Sequence, residues 1–386
     1  MAVNVFKSTD AGAPTLNGTA GALITVLDAL LINGYNQQTG VTATRTGGTA
    51  TFTKTSHGYV VDQLLTITGF TTADYNITGK VLSTPDANTW TMAVSSGAAS
   101  PAVGTGTVIV APVGWTKSYS GTNKAAYRQK TGTNQFYLRV DDTNAQNSQV
   151  RGYETMSDVD TGTNPFPTTT QIALGSGLYV YKSITADATA RTWQAYSNGK
   201  MLYFMGQHGT STPRSACFAF GDFLSRLPGD TYNTIIIAET TASVTGAPVF
   251  TMLTSAITSA TAGHYIARPY TGVAGALNCA KASHYSLATG NHTGNAGGTY
   301  PDPIAGGINL GVIFIGESAS VSTRGILPGL WNPLHATPLS NGDKFSGAAG
   351  SDLAGIRFEY RALYNTVSGG VIVFDLTGDT WETAYG

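Results

Sequence analysis

Five acidic residues lie close together near the middle of the sequence. They are the densest set of groups with chemistry suited to metal binding or acid–base catalysis: Asp141, Asp142, Glu154, Asp158 and Asp160. If the segments that carry them form neighbouring strands, several carboxylates can converge on one place. Carboxylate and backbone carbonyl oxygens bind Ca²⁺, and two carboxylates at the right separation hydrolyse a glycosidic bond. Asp141, Asp142, Asp158 and Asp160 are therefore the candidate residues for a cation site.

Two arginines in the same segments provide a simpler role for these carboxylates. Arg139 and Arg151 lie beside the acidic residues, and a guanidinium pairs with a carboxylate through two parallel hydrogen bonds. We therefore favour structural ion pairing over a cation site, and a cation site over catalysis. The sequence predicts no catalytic residue, no cofactor and no enzymatic activity.

A short aromatic-rich stretch follows the acidic residues. Its four rings are Trp193, Tyr196, Tyr203 and Phe204. Asn198-Gly199 lies between the two aromatic runs and is the strongest short hairpin signal in the chain. Packing of the rings between paired strands is the favoured role. A platform that stacks against sugars is the alternative.

The other reactive residue types form no recognisable site. We predict surface or loop positions for the six scattered histidines, which are His57, His208, His264, His284, His292 and His335. Cys217 and Cys279 lack the spacing of zinc ligands, so we predict buried free thiols. The sequence has no nucleotide-binding signature and no nucleophile elbow.

The clearest helical pattern runs from about Asn17 to Asn33. Leucines recur there at steps of three and four residues, which is the spacing of one helix face. Asn17 or Thr19 can cap the N-terminus, and Gly34 is placed for a C-cap. The apolar run contains Asp28 and is too short to span a bilayer, so it predicts a core helix.

Residues 1–16, which precede this helix, are predicted to be extended. Gly12 and Pro14 interrupt any regular pattern before the helix. We predict either an edge strand or an arm that reaches to a neighbouring subunit. The arm is the hypothesis on which our expected mode of assembly depends.

Residues 41–111 have a different texture, rich in Thr and Gly. Short alternating runs follow one another: ATFTKT, LLTITGF, ITGKVLST, TWTMAVSS and GTVIVA. Turn signals separate them, as at Thr84–Asn88, with the spacing of a small sandwich or barrel. We predict an inserted all-β module here. Residues 1–40 then supply the N-terminal arm and helix of the core domain, and residues 112–386 form its main β-rich part.

The rest of the chain also reads mainly as strands. Runs are predicted at QFYLRVDDT and LYVYKS, at Ala216–Phe220, Thr234–Ala238, Val249–Leu253 and Val312–Ile315, and in a final hairpin of IRFEYRALY and GVIVFDL. The stretch RGYETMSDVDTGTNPFPT reads as irregular, and residues 289–310 as a long Gly-rich loop. The predicted fold is mainly β, with a sandwich- or barrel-like core, one principal N-terminal helix and the inserted module.

The overall charge excludes two classes of partner. Charged residues make up 11% of the 386-residue chain and the net charge is −1, so electrostatics predict neither nucleic-acid binding nor attraction to an anionic membrane. Low charge leaves little repulsion between subunits, which suits an assembly. No basic segment followed by an apolar one occurs near the N-terminus, so we predict no signal peptide and synthesis in a reducing cytoplasm.

Several longer motifs are more specific indicators of a protein family than composition and charge. They are STDAGAPTLNGTAGALITVLDALLINGY, GWTKSYSGTNKAAYR, FYLRVDD, RGYETMSDVDTG, FPT, TRGILPGLWNPLH and FDLTGDTW. Together they resemble a family of tailed-bacteriophage virion proteins, across residues 1–36 and 112–386. The segment 41–110 resembles small β-modules inserted into many phage surface and tail proteins. Neither resemblance brings a catalytic residue with it.

The resemblance implies a structural component of a phage particle, without giving its position there. We expect a protein that is made in the host cytoplasm and lies in the tail, baseplate or neck. We expect a homo-oligomer, a trimer or a ring, that docks to other virion proteins without a nucleic-acid or membrane partner. The alternative is a capsid decoration protein or a receptor-binding protein that recognises a host-surface glycan. Large interfaces without turnover distinguish the first hypothesis, and saccharide binding distinguishes the second.

Overall fold

The computed structural model describes residues 2–132, 134–173, 177–207, 209, 215–240, 242, 263–273, 275, 277–278, 280–283, 307–317, 323–333, 339–362 and 371–383. The fold is mainly β, with 47% of residues in strands and 6% in helices, so the predicted fold class is confirmed. The strands form antiparallel sheets in a sandwich-like arrangement.

The strands up to residue 130 are β1 (Asn4–Lys7), β2 (Tyr35–Thr46), β3 (Thr49–Thr53), β4 (Leu64–Thr68), β5 (Thr78–Lys80), β6 (Ser83–Asp86), β7 (Thr89–Ala93), β8 (Gly106–Val110), β9 (Thr116–Gly121) and β10 (Lys124–Arg128). Those between residues 130 and 240 are β11 (Tyr137–Asp141), β12 (Asn147–Met156), β13 (Gly162–Phe166), β14 (Leu178–Tyr181), β15 (Trp193–Ser197), β16 (Met201–Gln207), β17 (Ser215–Asp222), β18 (Leu224–Ser225) and β19 (Thr234–Ile237). The last are β20 (His264–Ile266), β21 (Leu277–Asn278), β22 (Ala280–Ser283), β23 (Leu310–Gly316), β24 (Thr323–Pro333), β25 (Lys344–Ser346), β26 (Arg357–Ala362) and β27 (Val371–Asp375).

The N-terminal helix is shorter than its sequence pattern. Helix α1 spans Ala22–Asp28 and continues as a π-helical turn, Ala29–Asn33. The predicted start at Asn17 is wrong because Gly21 takes a left-handed conformation, with φ of +81°, immediately before the helix. The predicted end is confirmed, since Gly34 has φ of +71° and its N–H bonds to the carbonyl of Ala29. Among the described residues, two short 3-10 helices lie elsewhere, at Ala73–Tyr75 and Asp379–Trp381.

The extended N-terminal segment belongs to the chain's own core. Strand β1 pairs antiparallel with β15 at one edge of the first sheet, whose order is β1-β15-β16-β17-β19-β20-β21. Val3, Val5 and Phe6 are buried, and Asn4 Nδ2 donates to the carbonyl of Ala111 at 2.8 Å. The edge-strand prediction is therefore confirmed. The arm hypothesis is wrong in its premise, because burial of these apolar side chains already gives the segment internal partners.

The second sheet has the order β13-β12-β11-β10-β9, with β14 also paired to β12. Its strands β12 and β13 replace the irregular stretch predicted over RGYETMSDVDTGTNPFPT. The alternating signal is missing because most of β12 is buried on both faces. Gly152 lets Phe166 of β13 lie against the strand, since a Cβ there would come within 2.2 Å of the ring.

Both predicted hairpins of the core are confirmed. Strands β15 and β16 pair around Asn198-Gly199, and β26 pairs with β27 in the C-terminal sheet. That sheet has the order β22-β23-β24-β27-β26-β25, with β18 also paired to β24. Three more predicted strands fall in β17, β19 and β23. The strand predicted at Val249–Leu253 and most of the 289–310 loop lie outside the described residues.

Strands β2 to β8 form the module sheet, in the order β5-β4-β8-β2-β3-β7-β6, and they include the five predicted runs. The long strand β2 begins at Tyr35, so the expected boundary at residue 41 falls inside it. Its first half pairs with β8 and its second half with β3. A left-handed Gly40, with φ of +74°, lies between the two halves. The sheet therefore bends at Gly40, and its two halves enclose a group of aromatic side chains.

Candidate functional site

The five acidic residues do not converge on one place. Asp141 and Asp142 are consecutive at the end of β11, so their side chains point to opposite faces of the second sheet. Asp142 is buried in the interior, whereas Asp141 lies on the outer face near Asp160. Within the described part of the chain, no three His, Cys, Asp or Glu residues are grouped to hold a metal ion. The geometry divides the predicted set into separate ion-pair networks.

The outer network joins two cations to two carboxylates. Arg139 Nη2 lies 2.5 Å from Asp160 Oδ1 and 3.1 Å from Asp141 Oδ2, and Lys124 Nζ lies 2.9 Å from Asp160. The hydrogen bond from Arg139 lowers the pKa of the Asp160 carboxyl. Asp158 instead accepts the N–H of Asp160 at 2.7 Å within its turn, which lowers the pKa of Asp158. These contacts match the favoured prediction of structural pairing.

Glu154 links the second sheet to the segment after β20. Its two oxygens accept from Nε and Nη2 of Arg268 at 2.5 and 2.6 Å, a bidentate pair. The Arg268 guanidinium also lies over the ring of Tyr232, 4.8 Å from its centre. Arg268 is 114 residues away in sequence, which is why a reading of nearby residues did not find this partner.

Arg151 has a different role from the pairing predicted for it. Its guanidinium donates to the main-chain carbonyls of Pro167, Ile172 and Ala173, at 3.0, 2.8 and 3.1 Å. These carbonyls belong to the loop after β13. Arg151 therefore anchors that loop to the sheet.

Asp142, which directly follows strand β11, caps helix α1. Its Oδ2 accepts the N–H groups of Leu23 and Ile24 at 2.8 and 3.2 Å, and its Oδ1 accepts the Ser148 hydroxyl at 2.5 Å. Lys182 Nζ lies 2.5 Å from the same Oδ1. This contact replaces the cap predicted from Asn17 or Thr19, because the first free N–H groups of the helix point at the β11 end. Neither Lys182 nor Ser148 was singled out from the sequence.

The four aromatic rings are enclosed and offer no surface to a sugar. Each of Trp193, Tyr196, Tyr203 and Phe204 is at most 1% exposed. Tyr196 stacks on Phe374 of β27 with ring centres 4.0 Å apart, so the rings join the first sheet to the C-terminal sheet. The sugar-platform alternative is wrong for these residues, and cross-strand packing is their role.

Two histidines are buried. His57 lies in the loop between β3 and β4, as a loop position predicts, whereas His264 lies in a strand, which contradicts the surface or loop position predicted for it. His57 lies in the module against Tyr59 and Trp90, with ring centres 5.5 and 5.0 Å apart, and His264 is buried in β20. The N–H of Tyr59 donates to His57 Nδ1 at 2.9 Å, so the proton of the neutral ring is on Nε2, facing two carbonyls at 3.2 Å. Cys217 is a buried cysteine thiol, as predicted. Cys279 lies outside the described residues. So do the other four histidines, which are His208, His284, His292 and His335.

A polar cavity of about 550 Å³ opens between β17, β18 and the C-terminal segment. Its charged lining groups are paired with one another or with nearby side chains. Lys200 Nζ lies 2.9 Å from Glu382, and Arg324 holds Asp230 through two bonds of 2.7 and 2.8 Å. Thr234 donates to Asp222 at 2.7 Å. The arrangement stabilises the junction of the sheets.

Comparison with known proteins adds no relative. The sequence matches no protein-family model and no curated protein. Across the described ranges, no helix has the length and apolarity to cross a membrane.

Proposed function

We propose that this protein is a structural component of a tailed-bacteriophage particle, in its tail, baseplate or neck, and that it acts by oligomerising and docking to other virion proteins. The motif resemblance supports the proposal. The observation that carries it is the set of contacts that the ionisable residues of those motifs make. They bond inside the chain and join separate segments, as a scaffold requires.

Three motifs illustrate these contacts. In FYLRVDD, Asp142 caps the N-terminal helix and pairs with Lys182. In TRGILPGLWNPLH, the fully buried Arg324 pairs with Asp230, 94 residues away. In FDLTGDTW, the buried Asp375 accepts the N–H groups of the turn that follows, including that of Thr380 at 2.9 Å. Groups that are fixed and enclosed in this way support a role in architecture.

The module is suited to project from an assembly. Tyr35 and Val110, at its two ends, are paired residues of neighbouring strands, so the chain leaves and re-enters the core at one place. Because the N-terminal segment lies in the core, we infer that subunits meet through exposed strand edges. Pro85 and Pro165 hinder pairing of the edge strands β6 and β13 with another chain, whereas the edge strand β9 contains no proline.

The test is to locate the protein in particles of the phage that encodes it. Antibody against this chain, imaged on purified particles in negative stain, is expected to label a fixed position at the tail, baseplate or neck. Absence of the protein from purified particles, measured by peptide mass spectrometry, would overturn the proposal. Label over the capsid would favour the decoration alternative, and saturable binding of host polysaccharide by the purified chain would favour a receptor-binding role.

A further inference from the structure

Lys182 and Asp142 form an enclosed pair in which neither side chain has measurable exposure. Lys182 Nζ lies 2.5 Å from Asp142 Oδ1 and donates to the carbonyl of Thr19 at 2.8 Å. Burial raises the pKa of Asp142 and lowers the pKa of Lys182. Both shifts favour a neutral acid beside a neutral amine over two enclosed charges. These are the two reactants of amide formation, held in contact.

We propose that Asp142 and Lys182 condense to form an isopeptide bond within the chain. The Nζ lone pair attacks Cγ of the protonated carboxyl, so that a C–N bond forms and the bond from Cγ to Oδ1 breaks. Oδ1 leaves as water, carrying the carboxyl proton and one proton from Nζ. Nothing is oxidised or reduced, and no co-reactant is needed.

The groups around the pair suit each stage of this reaction. Ser148 Oγ lies 2.5 Å from Oδ1 and relays the proton to the departing oxygen. The N–H groups of Leu23 and Ile24 donate to Oδ2 at 2.8 and 3.2 Å. They stabilise the negative charge that develops on that oxygen in the tetrahedral intermediate. Fixed contact between amine and carboxyl removes the entropy cost of bringing them together.

The product amide has its hydrogen-bonding partners already in place. Its carbonyl oxygen accepts from Leu23 and Ile24, and its N–H donates to Thr19, through the contacts that the side chains now make. No desolvated charge remains after water leaves. The bond joins the end of β11 to the segment after β14 across β12, beside the start of α1. This inference does not depend on the proposed place in a phage particle.

The decisive measurement is the intact mass of the full-length protein under denaturing conditions. We expect a mass lower than that of the sequence by one water molecule. Fragmentation should recover a branched peptide that joins Asp142 to Lys182, and trypsin should not cut after Lys182. Full sequence mass, with normal cleavage after Lys182, overturns the proposal and needs no variant.

Two variants and one treatment sharpen the result. Lys182→Met should restore the full mass, after correction for the substitution, and Ser148→Ala should lower the cross-linked fraction in freshly made protein. Loss of water at an aspartyl succinimide reverts in mild alkali, whereas an isopeptide bond persists. A mass deficit that reverts, or that maps to other residues, also overturns the proposal.

Discussion

The module of residues 35–110 and the rest of the chain are stabilised by different interactions. The module encloses an aromatic cluster in which Phe52 stacks on Trp90 with ring centres 5.5 Å apart and meets Tyr75 edge-on at 6.1 Å. The rest of the chain encloses charged pairs, such as Arg324 with Asp230. The aromatic contacts of this cluster are formed within residues 35–110, whereas the charged pairs join segments that are far apart in sequence.

This difference affects how each region responds to substitution. Apolar packing loses energy in proportion to the contacts removed, and its loss in the module need not spread. A buried charge that loses its partner is destabilising wherever the partner came from, because the remaining charge stays desolvated. We therefore expect core variants to affect several sheets together and module variants to act locally.

The largest expected effect comes from Phe52→Ala in the module. Removing a fully buried ring should cost about 3–5 kcal/mol of unfolding free energy. Hydrogen exchange should show faster exchange confined to β2–β8, with urea unfolding of the other sheets unchanged. Equal loss of protection in the first and second sheets would contradict a locally stabilised module.

A similar loss is expected when the core pair is broken. Arg324→Met leaves Asp230 buried without its cation and should cost about 3–5 kcal/mol, measured by urea denaturation. The double variant Arg324→Met with Asp230→Leu is the matched control, and it should recover part of the loss. If the single and double variants are equally destabilised, packing and not charge is the basis of the effect.

The contact between module and C-terminal sheet should depend on pH. The ammonium of Lys80 donates a hydrogen bond to the carbonyl of Leu376 in this contact. Burial lowers the pKa of Lys80 to about 8. The unfolded chain binds more protons than the folded chain between this pKa and the ordinary lysine value of 10.5, so the free energy of unfolding should rise with pH across that window. Thermal unfolding at several pH values should show the rise, and Lys80→Met should flatten it. An equal rise in Lys80→Met would assign the effect to other groups.

A small effect is expected on the outer face of the second sheet. Asp160 is half exposed, and exposed ion pairs contribute about 0–1 kcal/mol. Asp160→Asn should therefore change the urea midpoint slightly, and by less at high salt. A loss as large as that of Arg324→Met would mean that this face is buried in the working state, for instance by a second subunit.

The smallest effect on the core is expected from removing the module itself. Replacement of residues 36–109 by a short Gly/Ser turn keeps Tyr35 and Val110, which are already paired neighbours. The remaining chain should stay soluble and keep its unfolding transition, by circular dichroism. Global unfolding of this variant would show that the module sheet is part of the core.

Features that depend on neighbouring residues were predictable from the sequence. The turn at Asn198-Gly199, the helix end at Gly34 and the strands of the module each follow from backbone preferences and local alternation. The mainly β class follows from the sum of these signals. Strand β12 escaped prediction because burial on both faces removes the alternation on which such a prediction depends.

Features that depend on distant partners were decided by the tertiary structure. The amino acid sequence by itself determined the mainly β class, the main helix and the presence of a dense acidic segment. Only the fold decided that Asp142 faces inward to α1 while Asp141 faces outward to Arg139, and that the N-terminal segment completes a sheet. The physical reason is that proximity in space and desolvation select the partner of a buried charge. Neither can be inferred from the residues that are neighbours in the sequence.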